Sequence, residues 1–166
     1  MTPYVLDTDT LTLYQENHLA VVGHVAQHPP ADIAITVLTV EEQLSGWYTR
    51  LRRAKDIDDL AAVYERLTAT AASLVRFRIL SFTKPAILRF ELLCAAKLGV
   101  AKMDLRIAAV TLEVGGTVVT RNPATFREFP GLRSRTGAFD GPSPDGGAGV
   151  ERGSGVSSFF LNSLEN

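Results

Sequence analysis

Three carboxylates, Asp7, Glu42 and Asp104, set the chemistry this sequence could carry. Each stands where an apolar run gives way to a helical pattern. Asp7 closes Tyr4-Val5-Leu6, Glu42 follows the β-branched stretch Asp32-Ile33-Ala34-Ile35-Thr36, and Asp104 opens a helix with Leu105, Ala108, Ala109 and Leu112 on one face. In a parallel α/β sheet, strand carboxyl ends and helix starts share one edge, and ligands bind at that edge. Carboxylates brought within about 5 Å of one another repel by roughly 3 kcal/mol per pair at an effective dielectric of 20, so a cluster needs protons or a cation. A hard divalent ion, Mg2+ or Mn2+, suits an all-carboxylate set, whereas the three scattered histidines offer no zinc spacing. Such an ion activates water and neutralises charge developing on a phosphate. Each acid also has a plainer account. An Asp between strand and helix is a frequent N-cap, and Thr39 with Glu42 fits the S/T-x-x-E of a capping box.

The elements that must position these acids follow from hydrophobic periodicity. Short buried runs at Tyr4–Leu6, 32–36, 78–80 and 117–120 predict strands, and the segments between them carry helical spacing. Alternation of this kind predicts an α/β fold, a three-layer α/β/α sandwich around a parallel sheet of about four strands. Leu11 to Tyr14 and Val21 to Val25 predict two short helices, ended by Pro29-Pro30. Val37 to Leu51 is a longer one that turns basic at Arg50, Arg52, Arg53 and Lys55; Leu60, Tyr64, Leu67, Ala71 and Leu74 predict its antiparallel partner. Ile87, Leu88, Leu92 and Ala95 predict a buried face running to Gly99 as a left-handed stop, and Gly115-Gly116 end the helix begun near Asp104. Phe126, Phe129, Pro130 and Leu132 are expected to pack as a last, irregular segment.

Composition narrows the classes. With 17 basic and 18 acidic residues in 166, the net charge is -1, so any polyanion site must be local. Cys94 is the one cysteine and can form no intrachain disulfide. No apolar run approaches the roughly 18 residues of a membrane span, and no signal-peptide pattern opens the chain, so a cytoplasmic protein without membrane contact is expected. Gly141-Pro142-Ser143-Pro144 and Gly153-Ser154-Gly155 mark a change of composition. The expected organisation is one domain over 1–135 and a disordered tail over 136–166.

The stretches YVLDTDTL, ITVLTVEEQLSGW, MDLRIAAVTLEVGGTVVTRN and FREFPGL, in this order and spacing, resemble the PIN-domain nucleases and, within them, the VapC-type toxins of toxin–antitoxin pairs. The resemblance covers nearly all of residues 1 to 135. It implies that Asp7, Glu42 and Asp104 are the catalytic, metal-binding acids, with Glu42 preferred over Glu41 because its spacing to Gly46 matches the family's E-x-x-x-G. It further implies a Mg2+- or Mn2+-dependent endoribonuclease with an RNA substrate, a homodimer, and inhibition by a small VapB-like antitoxin. The basic helical hairpin would be a clip around partner or RNA. Asn122 and Thr125 would be auxiliary, Thr125 standing where the family often has a fourth acid. That departure leaves an alternative, a catalytically impaired PIN-fold RNA- or protein-binding module. A third reading is a small α/β domain whose acids are only caps.

Overall fold

In the computed structural model, which describes residues 2–136, the chain alternates strands and helices. The strands are β1 (Tyr4–Leu6), β2 (Ile33–Thr36), β3 (Arg78–Leu80), β4 (Thr117–Thr120) and β5 (Arg133–Thr136). They form one parallel sheet in the order β3-β2-β1-β4-β5. The helices are α1 (Thr8–Gln15), α2 (Leu19–Ala26), α3 (Val37–Leu51), α4 (Ile57–Leu74), α5 (Lys84–Ala95), α6 (Lys102–Glu113) and α7 (Pro123–Arg127).

The central strands are short and apolar because both of their faces are covered, and side-chain alternation divides them between two cores. Leu6, Ile33 and Ile35 pack with Leu11 of α1 and Leu74 of α4 on one face, where Val25 of α2 also packs. Val5 and Ala34 pack on the other with Ile107 and Val110 of α6, and beside them Val118 meets Leu105, Ala108 and Phe126. From β1 the chain winds outward through β2 to β3, then returns to lay β4 on the free side of β1. The strand order therefore reverses between β1 and β4, and the crevice at their carboxyl ends is a topological switch point.

Tight local devices fix this junction. Gly115 (φ +63°) ends α6 in the left-handed region, and the Gly116 amide donates back to the Thr111 carbonyl at 2.8 Å. A Cβ on Gly116 would stand 3.0 Å from the Pro3 carbonyl oxygen and 3.1 Å from the Thr111 methyl, so only glycine lets α6 turn this closely into β4.

Several elements differ from expectation. The sheet has a fifth strand, β5, paired along its whole length with β4, where sequence patterning predicts an irregular segment. Thr136 is its last residue and falls one position inside the stretch assigned to the tail; residues 137–166 lie outside the described residues. α5 stops at Ala95 rather than running to Gly99, and Lys97 takes a left-handed conformation (φ 52°) before Gly99 does. Leu92 is 73% exposed rather than buried, and Ile87 and Leu88 are also exposed, because α5 meets the body through Ala86, Phe90 and Leu93. Tyr48 on α3 and Leu60 and Tyr64 on α4 likewise face outward. No helix among the described residues is long and apolar enough to cross a membrane.

Candidate active site at the carboxyl ends of β1 and β4

Asp7 follows β1 directly and is the N-cap of α1: its Oδ1 accepts the Thr10 amide at 2.7 Å, and its own amide donates to the Val119 carbonyl at 3.0 Å. The capping role is real, and it accounts for one of the two carboxylate oxygens. Asp7 is only 8% exposed, and burial pushes its carboxyl above the ordinary 3.8. The neighbouring Thr10 and Thr120 hydroxyls and the Thr10 amide pull it part of the way back, while the charge of Asp9 raises it further. Thr120, at the end of β4, also accepts the Asn122 amide at 3.0 Å, which links the β4 exit to the carboxylate. The Thr10 hydroxyl is fully buried and closes no well-formed hydrogen bond.

Glu42 approaches from α3. The S/T-x-x-E reading fails because α3 starts earlier: Thr36 is its N-cap, with Oγ1 accepting the Thr39 amide at 3.1 Å, so Glu42 lies beyond the first turn, where no free amide waits. Its Oε2 instead accepts the hydroxyl of Thr8, the residue after Asp7. Glu42 thus leans across the strand ends towards Asp7.

Asp104 sits in the first turn of α6, after the cap position Ala101, and makes no capping bond. It is half-buried, and its carboxyl is pushed above the ordinary 3.8 by burial first, then by the negative charges of Asp7, Glu42 and Asp9. Asp104 therefore feels, through space, two acids that lie far from it in sequence. Asp9, an exposed residue in the first turn of α1, adds a fourth charge that the sequence reading passed over. Its signal was in plain view in the Asp7-Thr8-Asp9-Thr10 repeat.

The auxiliary residues are less engaged. Asn122 is exposed and precedes α7 as its N-cap position without a side-chain cap bond. Thr125 is half-buried and is the third residue of α7, so it does not cap that helix; its amide donates to the Asn122 carbonyl at 3.2 Å. Neither side chain has a hydrogen bond among the described residues that ties it to the carboxylates.

The donor set and its mutual repulsion suit a hard divalent cation. Among the described residues, however, no three acidic, histidine or cysteine side chains stand close enough together to hold one ion as they are. Glu42 is engaged by Thr8 and Asp7 by the α1 amide, so the carboxylates are neighbours without being a closed cage.

Solved structures share this architecture. A chain of the DNA-bound VapBC complex from Salmonella typhimurium is 22% identical, with a TM-score of 0.68 over 83% of this chain and 100% of that one. A chain of FitAcB from Neisseria gonorrhoeae is 23% identical, with a TM-score of 0.64 over 81% and 97%, and one from a toxin–antitoxin complex of Klebsiella pneumoniae is 20% identical, at 0.61 over 81% and 97%. The fold is PIN-like, as in VapC-type toxins. No protein-family model matches the sequence, and no curated protein matches it. Full coverage of the Salmonella chain by 83% of this one means that the PIN-like domain accounts for the whole of that relative, and that this chain is longer.

Proposed function

We propose that this PIN-like protein is the toxin of a toxin–antitoxin pair, a Mg2+- or Mn2+-dependent endoribonuclease that hydrolyses RNA phosphodiesters. The observation that carries the reading is the convergence of Asp7, Glu42 and Asp104 at the β1–β4 switch point, close enough for the charges of Asp7 and Glu42 to raise Asp104. Asp7, Glu42 and Asp104 would hold the ion, which supplies a Lewis acid for the phosphate and lowers the pKa of water. Asp7 is held in place by the Thr10 amide, Glu42 by Thr8, and Asp104 by the rigid start of α6. Raised carboxyl pKa values mean that Asp7 and Asp104 are uneasy as bare anions, so a counter-charge is favoured where they meet.

The partners follow from the surface. Solved neighbours include VapBC and FitAcB complexes, and here the apolar side chains of Tyr48, Leu60 and Tyr64 on the α3–α4 hairpin and of Leu88 and Leu92 on α5 are left uncovered. The hairpin supports docking of a small VapB-like antitoxin, and α5 supports a homodimer. An arginine from the antitoxin would substitute for the cation at the carboxylates.

Expression of the chain alone, followed by sequencing of new RNA 5′ ends, tests the reading: discrete cleavage sites should appear, vanish in Asp7→Asn, and be suppressed by the co-expressed partner. An unchanged RNA pool would overturn it. The second reading, a catalytically impaired PIN-fold binding module, is favoured by Thr125 and by the open arrangement of the acids. Calorimetry separates the two, since a module binds RNA or protein without taking up Mg2+ or Mn2+.

A further inference from the structure

On the sheet face covered by α1 and α2, lined by none of the three carboxylates, a cavity of about 270 Å³ lies between α2 and the β1–β4–β5 half of the sheet. α2 is only 8 residues long, and the cavity opens beside it, over Leu6 of β1, Val119 of β4 and Arg135 and Thr136 of β5. Its walls are apolar where Leu6, Val21, Val25 and Val119 meet. Its two ends differ. At the amino end of the strands, Tyr4 and His28 form a ring pair with centroids 4.2 Å apart; at the carboxyl end stand Arg135 and Thr136 of β5. Gln27 offers an amide that both donates and accepts, and His24 an imidazole.

Two polar groups here are weakly engaged among the described residues, the Thr10 hydroxyl acting only on the nearby Asp7 carboxylate. The Thr10 hydroxyl borders the cavity, is 0% exposed, and has no well-formed hydrogen bond, an arrangement that buried hydroxyls rarely tolerate. Arg135 is in no ion pair among the described residues. An aromatic end, an apolar middle, a buried hydroxyl and a guanidinium at the far end call for a ligand with a flat ring, a polar body and an anionic group. Ligand sites for drug-sized molecules start at about 300 Å³, so this cavity of about 270 Å³ limits the ligand to one nucleotide at most.

We propose that the cavity under α2 binds one nucleoside monophosphate, free or as the 5′ end of an RNA strand. The base lies against the Tyr4–His28 end with its edge towards Gln27, the Thr10 hydroxyl bonds to the sugar, and Arg135 takes the phosphate in a charge-assisted pair. None of Asp7, Glu42 and Asp104 lines the cavity, although Thr10 also stands beside Asp7, so the test reads nucleotide binding directly and not through RNA cleavage.

Calorimetric titration of the full chain with the four 5′ monophosphates, ribose 5-phosphate and inorganic phosphate tests it. At least one nucleotide should bind more tightly than either control. Arg135→Gln should weaken that binding by roughly tenfold to a hundredfold, and Thr10→Val by roughly two- to tenfold. Val25→Trp, which fills the cavity, should abolish binding in a protein that still melts cooperatively, and it serves if either polar variant fails to fold. Failure of every nucleotide to bind, equal binding of phosphate alone, or undiminished binding to Val25→Trp would overturn the proposal. A 5′-phosphorylated oligoribonucleotide that displaces the nucleotide assigns the site to strand ends; one that does not assigns it to free nucleotide.

Discussion

β1 and β4 lie side by side for their whole length, yet their two ends are built on opposite terms. At the amino end, the Thr117 amide donates to the Pro3 carbonyl at 2.9 Å, the Gly116 amide closes α6, and a Cβ at Gly116 would press within 3.0 Å of the Pro3 carbonyl. The backbone amides of Gly116 and Thr117 are paired there, and the packing around Gly116 is tight. At the carboxyl end, a few residues away, Asp7 is buried with a raised pKa, Asp104 is raised by burial and then by its acidic neighbours, and the buried Thr10 hydroxyl closes no well-formed hydrogen bond. The same strand pair thus joins an end where stability is concentrated to one where charge is concentrated at its expense. Unfavourable burial of charge in a fold that satisfies itself elsewhere is the pattern of a functional site.

The largest expected effect would show the two ends coming apart. Asp7→Asn keeps an oxygen for the Thr10 amide and removes one buried charge, so under the ribonuclease proposal cleavage should fall by about 100-fold or more while the melting temperature holds or rises. Asp7→Ala should lose the same activity and, in addition, about 1 kcal/mol of stability, because the cap goes too. If Asp7→Asn kept full cleavage and only Asp7→Ala lost stability, Asp7 would be a cap and nothing else.

At the other end the effect should be purely structural. Gly116→Ala drives a methyl towards the Pro3 carbonyl and the Thr111 and Val5 methyl groups, and should cost about 1–3 kcal/mol in denaturant unfolding, with activity per folded molecule unchanged. A loss of activity without a loss of stability would show that the ends are coupled.

A smaller effect comes from pH. Asp7 and Asp104 hold protons more tightly folded than unfolded, so between the ordinary 3.8 and their raised values the native state carries more protons. Stability contributed by these two groups should fall as pH rises through that window and grow as pH is lowered towards about 4. Melting curves of the wild type and the Asp7→Asn, Asp104→Asn double variant should therefore converge at low pH and separate, with the wild type the less stable, towards neutrality. Curves that stayed parallel would contradict the raised values. The smallest effect concerns Gly46, inside α3, where a Cβ meets nothing within 4 Å. Gly46→Ala should stabilise by about 0.5–1 kcal/mol, and a loss of partner or RNA binding in this more stable protein would show that something approaches the helix closely there.

Much of the scaffold was legible because burial writes a strong pattern. β1, β3 and β4 lie where their apolar or β-branched runs place them, and β2 starts one residue later than expected. β5 was not legible: Arg133-Ser134-Arg135-Thr136 contains no apolar residue, and ladder bonding to β4 rather than core packing makes it a strand. The apolar stripe on α5 predicts a buried face, yet periodicity reports only that a face is apolar, and Leu92, like Leu60 and Tyr64 on the α4 stripe, is exposed among the described residues. In the site, the acids were visible as breaks in apolar runs. Thr8, Thr10 and Thr120 were not, because hydroxyls next to strands are common and carry no charge pattern; only the fold brings them to Asp7 and Glu42.

The missed strand also bears on how molecules of this protein meet one another. Among the described residues β5 is the last strand of the sheet, and an outer row of amides and carbonyls of this kind can template a strand from a neighbouring copy and start sheet-to-sheet aggregation. Two such edges, each presenting Arg133 and Arg135 to solvent, would bring four like charges together as they met. The arginines that hid β5 from the hydrophobic pattern are also what keeps that open edge from propagating.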